Sequence, residues 1–225
     1  MKTLSIAIDG PAGAGKSTVA RRLARELGCR YVDTGAIYRT VAYFLSLLGI
    51  SPKDSDGVKR YIDELTVAIE YDDQGGQHML MNGMDVTGEI RTQEIGQKAS
   101  LVSAQPAVRE MLLDMQRQTA RRYSVVMDGR DIGTVVLPQA DVKFFLTASP
   151  EVRARRRCKE LLEKGQKAEY NEVLQEIRKR DDQDTHRAIA PLKQAADAVK
   201  VDSSDMTIEE VLETMKRIVR EKGKL

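Results

Sequence analysis

The chain has little with which to build several common kinds of site. Its 225 residues include only two cysteines, two histidines, three phenylalanines, seven tyrosines and no tryptophan. Cys29 and Cys158 stand far apart and form no CxxC pattern. That argues against a zinc site or a disulfide framework, and points to a reduced, cytoplasmic protein. With His78 and His186 as the whole histidine complement, neither a histidine metal centre nor a Ser-His-Asp triad is expected. Net charge is only +2 and aromatics are few, so no nucleic-acid partner is expected. Long apolar runs are missing too. Asp9 interrupts the opening MKTLSIAIDG, and no stretch approaches the roughly 20 apolar residues of a membrane span. Neither a signal peptide nor membrane contact is expected. No internal repeat is visible, and one domain over 1–225 with small insertions suits this length.

What is present alternates. Apolar runs at 4–8, 31–32, 124–127, 142–146 and 198–201 read as five strands, the first, third and fourth continuous enough to be covered on both faces. Helical patterns separate them. Val19, Ala20, Leu23, Ala24 and Leu27 share one face, opposite Arg21, Arg22, Arg25 and Glu26, and Gly28 supplies a stop. Ile208, Val211, Leu212, Met215, Ile218 and Val219 form a second stripe, opened by a Thr207–Glu210 capping box. Met111, Leu112 and Met115, at helical spacing, read as core. This alternation implies an α/β fold with a parallel sheet flanked by helices. Two regions break the pattern. Residues 66–86 are polar and turn-rich and read as a small hairpin insertion turning at Gly75 and Gly76. Residues 151–187 read as two charged helices joined around Gly165, the first opened by Ser149 and Pro150.

The strongest chemical signal is GPAGAGKS at residues 10–17, which matches GxxxxGK[ST] between a buried strand and an amphipathic helix. Glycines let the backbone curl so that successive N–H groups face phosphate oxygens. Gly10, Pro11, Ala12, Gly13, Ala14, Gly15, Lys16, Ser17 and Thr18 are therefore the expected ATP-binding residues. Lys16 reaches the β- and γ-phosphates, the Ser17 hydroxyl is a candidate Mg²⁺ ligand, and the helix N-terminus faces the same anion.

Further along, DTGAIYR at 33–39, GEIRT at 88–92, DGRDIGTVV at 128–136, RDDQD at 180–184 and RAIAPL at 187–192 follow in order. Together with IDGPAGAGKST at 8–18 they make the chain resemble the bacterial cytidylate kinases, members of the nucleoside monophosphate kinase group. The resemblance implies a P-loop kinase fold with a five-stranded parallel sheet. It also implies an acceptor-binding region over about 35–106, with an antiparallel β insert at about 66–90, and a helical lid at about 153–190. The implied reaction moves the γ-phosphate of ATP to CMP or dCMP, with Mg²⁺ as cofactor and a monomer as the expected working form. On the same basis Thr34, Arg39 and Arg130 hold the acceptor phosphate, and Ser100, Arg109 and Asp131 read the base. Asp128 is placed with them on the acceptor side. Arg180 and Asp184 match sugar- and phosphate-side contacts, and Arg187 a lid arginine. Lys16, Arg130, Arg180 and Arg187 form the expected catalytic set. Some members of that family carry glycine after the loop lysine, where this chain has Ser17.

Plainer readings compete at several positions. Asp128 and Asp131 could end a strand and cap a helix. Arg153, Arg155, Arg156 and Arg157 could be a solvated face or could line the donor side. Tyr38 could touch the acceptor or fill core, and His186 reads as solvated. Other small-acceptor kinases, for UMP, AMP or shikimate, would keep the loop and lose the DTGAIYR, DGRD and RDDQD set. A nucleotide-dependent switch would keep the loop without an acceptor pocket.

Overall fold

The computed structural model describes residues 3–223. In chain order the elements are β1 (Ser5–Asp9), α1 (Lys16–Glu26), β2 (Arg30–Asp33), α2 (Thr34–Leu47), α3 (Ser55–Tyr61), β3 (Val67–Tyr71), β4 (Gln77–Met81) and β5 (Met84–Asp85). They continue with α4 (Gln93–Val102), α5 (Pro106–Arg122), β6 (Val125–Gly129), a π-helical turn (Ile132–Val136), β7 (Val142–Thr147), α6 (Pro150–Glu163), α7 (Tyr170–His186), β8 (Val199–Asp202) and α8 (Ile208–Glu221). The five expected strands are all present and form one parallel sheet in the order β2-β6-β1-β7-β8.

Side chains alternate across a strand, so each strand feeds two cores. On β1, Ile6 and Ile8 face the layer made by α1 and α8, while Ala7 faces the layer of α2, α4 and α5. On β6, Val126 joins the first layer, and Val125 and Met127 join the second. Both layers are fully buried at their centres: Ile6, Ile8, Leu23 and Phe144 in the first, and Ile37, Leu45 and Met127 in the second, lie within 1% exposure. Truncating one such side chain to alanine costs about 2–5 kcal/mol. The α8 stripe is buried except for Ile208, which lies at the helix start and stays exposed. Of the three residues expected as core on α5, Leu112 is buried, and Met111 and Met115 pack half-buried against it. The capping box at Thr207 is present in both halves, and Ser149 caps α6 with Pro150 at its first position.

The insert differs from expectation in one respect: it has a third strand. β3, β4 and β5 form an antiparallel sheet. The first turn spans residues 72–76, closed by Gly75 N–H donating to the Asp72 carbonyl. The second is a two-residue turn at Asn82 and Gly83, both left-handed at φ 51° and 81°. This is the Asn-Gly geometry that matches strand twist, and the dipeptide is legible in the sequence. The insert is tied to the main sheet at the end of β2. Gln77 Oε1 accepts from Asp33 N–H at 2.7 Å, and the Tyr71 hydroxyl donates to the Tyr31 carbonyl at 3.0 Å. A third, small apolar cluster of Ala154, Leu161, Val173 and Ile177 joins α6 to α7. Among the described residues, no helix is long and apolar enough to cross a membrane.

Candidate functional site

The loop at residues 10–15 leaves the carboxyl end of β1, the middle strand, where open α/β sheets bind their ligands. Its first glycine is compulsory. Gly10 stands at φ 150°, and a Cβ there would lie 1.9 Å from the Leu146 carbonyl oxygen. Gly13 and Gly15 are left-handed at φ 74° and 87°, which turns the chain into α1. Lys16 is buried beneath the loop, and its Nζ donates to the Pro11 carbonyl at 2.7 Å. Burial, then the positive charge of Arg130, pushes the Lys16 ammonium well below its ordinary value. Ser17 and Thr18 are exposed at the helix start.

A cleft opens beside the loop. It is lined by Thr34, Gly35, Tyr38, Arg39, Ala99, Ser100, Ser103, Gly129, Arg130, Asp131, Arg180, Asp184 and Arg187. Eight of the ten residues expected on the acceptor side are in that lining, drawn from α2, α4, the end of β6, and α7 with the residue after it.

The two that are not in the lining have specific positions. Arg109 is buried behind the cleft on α5, paired with the Asp131 carboxylate and donating to the Ser103 carbonyl at 3.2 Å. Asp128 lies on the other face of β6, the face of Val126, so the strand's two-residue period carries it away from the cleft. There its carboxylate accepts from the Ser17 hydroxyl at 2.9 Å and the Tyr31 hydroxyl at 2.9 Å. Its side chain thus meets the phosphate loop, while its backbone carbonyl accepts from the Thr34 hydroxyl of the cleft at 2.7 Å. Burial, then the facing Asp33, pushes the Asp128 carboxyl up to about 6. Gly129, one residue on, faces the cleft, where a Cβ would come within 2.8 Å of the Thr34 hydroxyl.

Arginine dominates the cleft electrostatically. Arg130 Nε donates to Asp184 at 2.8 Å, and Arg187 donates to Asp131 at 3.5 Å and to the Ser103 hydroxyl at 2.9 Å. Burial alone would raise the Asp184 carboxyl, but Arg130, Arg180 and Arg187 outweigh it and hold it below the usual range. Arg180 makes no hydrogen bond with its buried Nε. Burial, followed by repulsion from Arg130, brings it down to about 10. An unpartnered buried guanidinium N–H facing a basic cleft is suited to an anion. Arg39 is seated by the GEIRT segment, donating to the Ile90 and Thr92 carbonyls at 3.0 Å each. Its guanidinium lies over Gly96, where a Cβ would approach within 2.6 Å. Arg91 of the same segment pairs with Asp33, which caps α2 through Ala36 N–H.

Three residues outside the expected set also shape the site. Asp9 is buried at the end of β1, and its two oxygens accept from Ile132 and Gly133 N–H at 2.7 Å each. Burial outweighs those two donors and raises its carboxyl to about 6. The carboxylate that caps the π turn is therefore Asp9, which leaves Asp131 free to face the cleft. Ser103 stands between Arg109 and Arg187, and Tyr38 lines the cleft with Arg109 5.9 Å from its ring centre. His186 is exposed.

A glycine-rich phosphate loop on the central parallel strand, next to an arginine-lined cleft, defines an α/β kinase of the phosphate-loop class. Comparison with known proteins agrees. The family model for cytidylate kinase matches residues 6–221. The cytidylate kinase of Carboxydothermus hydrogenoformans is 49% identical over 220 residues, covering 98% of this chain and 99% of the relative. That of Fervidobacterium nodosum is 49% identical over 220 residues, covering 98% of each. An uncharacterised protein from Eubacterium ventriosum superposes with a TM-score of 0.52 at 12% identity over 97% of this chain and 99% of its own, a likeness of fold. The chain belongs to the cytidylate kinase family.

Proposed function

We propose that the chain transfers the γ-phosphate of ATP to CMP or dCMP, giving ADP and CDP or dCDP, by direct in-line displacement in a closed, arginine-lined site. The observation that carries the reading is the end of β6. Within four residues it touches the donor loop through Asp128 and Ser17, and lines the acceptor cleft through Gly129, Arg130 and Asp131. One rigid strand end thus fixes donor and acceptor relative to each other.

The acceptor phosphate has a second pKa near 6 and is mostly dianionic at neutral pH, so it needs no side-chain base. It does need positive charge, because two polyanions must meet in line. Thr34, Arg39 and Arg130 hold the acceptor phosphate. Lys16, with Arg130, Arg180 and Arg187, stabilises the charge spread over the transferred group. Ser100 and Asp131 read cytosine, and Arg109 fixes the Asp131 carboxylate from behind. Asp184 orients Arg130 and the sugar side. Residues 10–18 hold ATP.

The oxygen donors of Ser17 and Asp128, 2.9 Å apart at the loop, suit Mg²⁺, which prefers hard oxygen ligands. When bound there the ion would neutralise phosphate charge. Residues 35–106 serve as the acceptor region and 153–190 as a lid within one domain over 1–225. Lid closure excludes water and protects ATP from hydrolysis. A monomer acting in the cytoplasm, with both cysteines free, belongs to the same proposal.

The test is ADP release measured with CMP, dCMP, UMP, AMP and shikimate as acceptors. Turnover with CMP and dCMP orders of magnitude above the others is expected, and equal rates with AMP would overturn the reading.

A further inference from the structure

Arg153 of α6 lies outside the cleft lining, yet it is 3% exposed and heavily bonded. Its Nε donates to the Ala148 carbonyl at 2.9 Å, just past the end of β7. One terminal nitrogen donates to the Ala12 carbonyl at 3.1 Å and to Asp181 Oδ1 at 2.9 Å. The other donates to Asp181 Oδ2 at 2.6 Å. The fixed fork of a guanidinium is thus spent on three separate segments: the end of the sheet, the crest of the phosphate loop, and α7. Gly13, also on the crest, backs onto the Arg153 stem, with room for a Cβ only 3.5 Å from its Cβ. Asp181 directly follows Arg180, whose Nε awaits a partner.

Stability alone is a poor reason for this arrangement, because a buried ion pair gives back in desolvation much of what it gains in attraction. Its placement is more telling: it links the donor loop to the helix that brings Arg180 and Asp184 to the acceptor. We propose that Arg153 and Asp181 form a positioning strut that couples the two substrate sites, so that nucleotide in the loop strengthens acceptor binding in the cleft. A phosphate that orders the loop crest orders the Ala12 carbonyl, hence Arg153, hence Asp181 and its neighbour Arg180. By linkage the effect is reciprocal: acceptor in the cleft strengthens nucleotide binding by the same factor. Lysine in place of Arg153 cannot bridge all three segments with one ammonium. The inference rests on the function proposed above.

The experiment is calorimetric titration of CMP, with and without a saturating non-hydrolysable ATP analogue and Mg²⁺. The proteins are the wild type, R153M, R153K, D181N and the R153M/D181N double variant. In the wild type the analogue should tighten CMP binding by about tenfold, within the usual range of site-to-site coupling. In R153M, R153K and D181N the ratio should fall to near one, and the double variant should lose no more than either single change. A purely structural role would lower the melting temperature and leave the ratio intact, which would overturn the proposal. So would a wild-type ratio of one. Should R153M fail to fold, D181N decides the matter, since Asp181 is partly exposed and its amide keeps the shape. Wild-type turnover with CMP combined with an unchanged ratio in the variants contradicts the strut alone. Wild-type failure to use CMP contradicts the function.

Discussion

In the proposed function the donor loop and the acceptor cleft recognise the same kind of group, phosphate, by opposite means. The loop is eight consecutive residues whose glycines at fixed places set the backbone, with the Lys16 and Ser17 side chains added at its end. The cleft works through side chains gathered from positions as far apart as Thr34 and Arg187, and its geometry follows from the whole fold. Breaking the loop should therefore be a local event with a large effect. Changes in the cleft should divide into distinct losses of rate, affinity and base choice.

The largest effect is expected at Gly10. An alanine Cβ would collide with the Leu146 carbonyl at 1.9 Å, so G10A should cost about 3 kcal/mol or more of stability and abolish ATP binding. Thermal unfolding and nucleotide titration check this, and a normal melting curve with bound ATP would contradict it. Next is Arg130. R130A should lower turnover by about 10²–10³ while ATP affinity holds, as expected for losing one transition-state donor. Unchanged steady-state kinetics would remove its assigned role. A smaller change is expected for D131A, which should narrow the CMP-to-UMP preference by about tenfold, the worth of one lost hydrogen-bond reader. Turnover ratios across the two acceptors measure it.

The smallest effect is expected at His78 of the insert, which is not part of the cleft lining. Asp85 first and then Asp72 hold the exposed His78 imidazole above its ordinary pKa. A raised histidine contributes stability that is present below its unfolded pKa and lost as pH rises through the folded one. The wild type should therefore show a slight fall in melting temperature above neutral pH that H78N lacks, with CMP turnover alike in both. A change in turnover would mean that His78 is coupled to the cleft.

The same contrast explains what could be read from the sequence. The loop, the five strands, the capping box at Thr207 and most cleft residues are legible, because strand periodicity and contiguous motifs are local signals. The side of β6 that the Asp128 side chain faces is hidden when the motif is read as a string, which ignores the pleat. DGRD looks like one unit, yet Asp128 and Gly129 face opposite sides of β6. The third strand of the insert is announced by Asn82 and Gly83, a turn signal less conspicuous than Gly75 and Gly76. Asp9 carries no such signal, and Arg153 is only one of four neighbouring arginines that could line the donor side. A carboxylate that closes β1 and an arginine in a run of arginines acquire their partners, Ile132, Gly133, Ala12 and Asp181, only through tertiary structure.

That donor and acceptor share one strand end is tested most directly by product stoichiometry. The enzyme is incubated with ATP and Mg²⁺, with and without CMP, and nucleotides are resolved by chromatography. One CDP should appear for each ADP, with negligible ADP when CMP is left out. ADP accumulating at the same rate without CMP, or without matching CDP, would contradict the account.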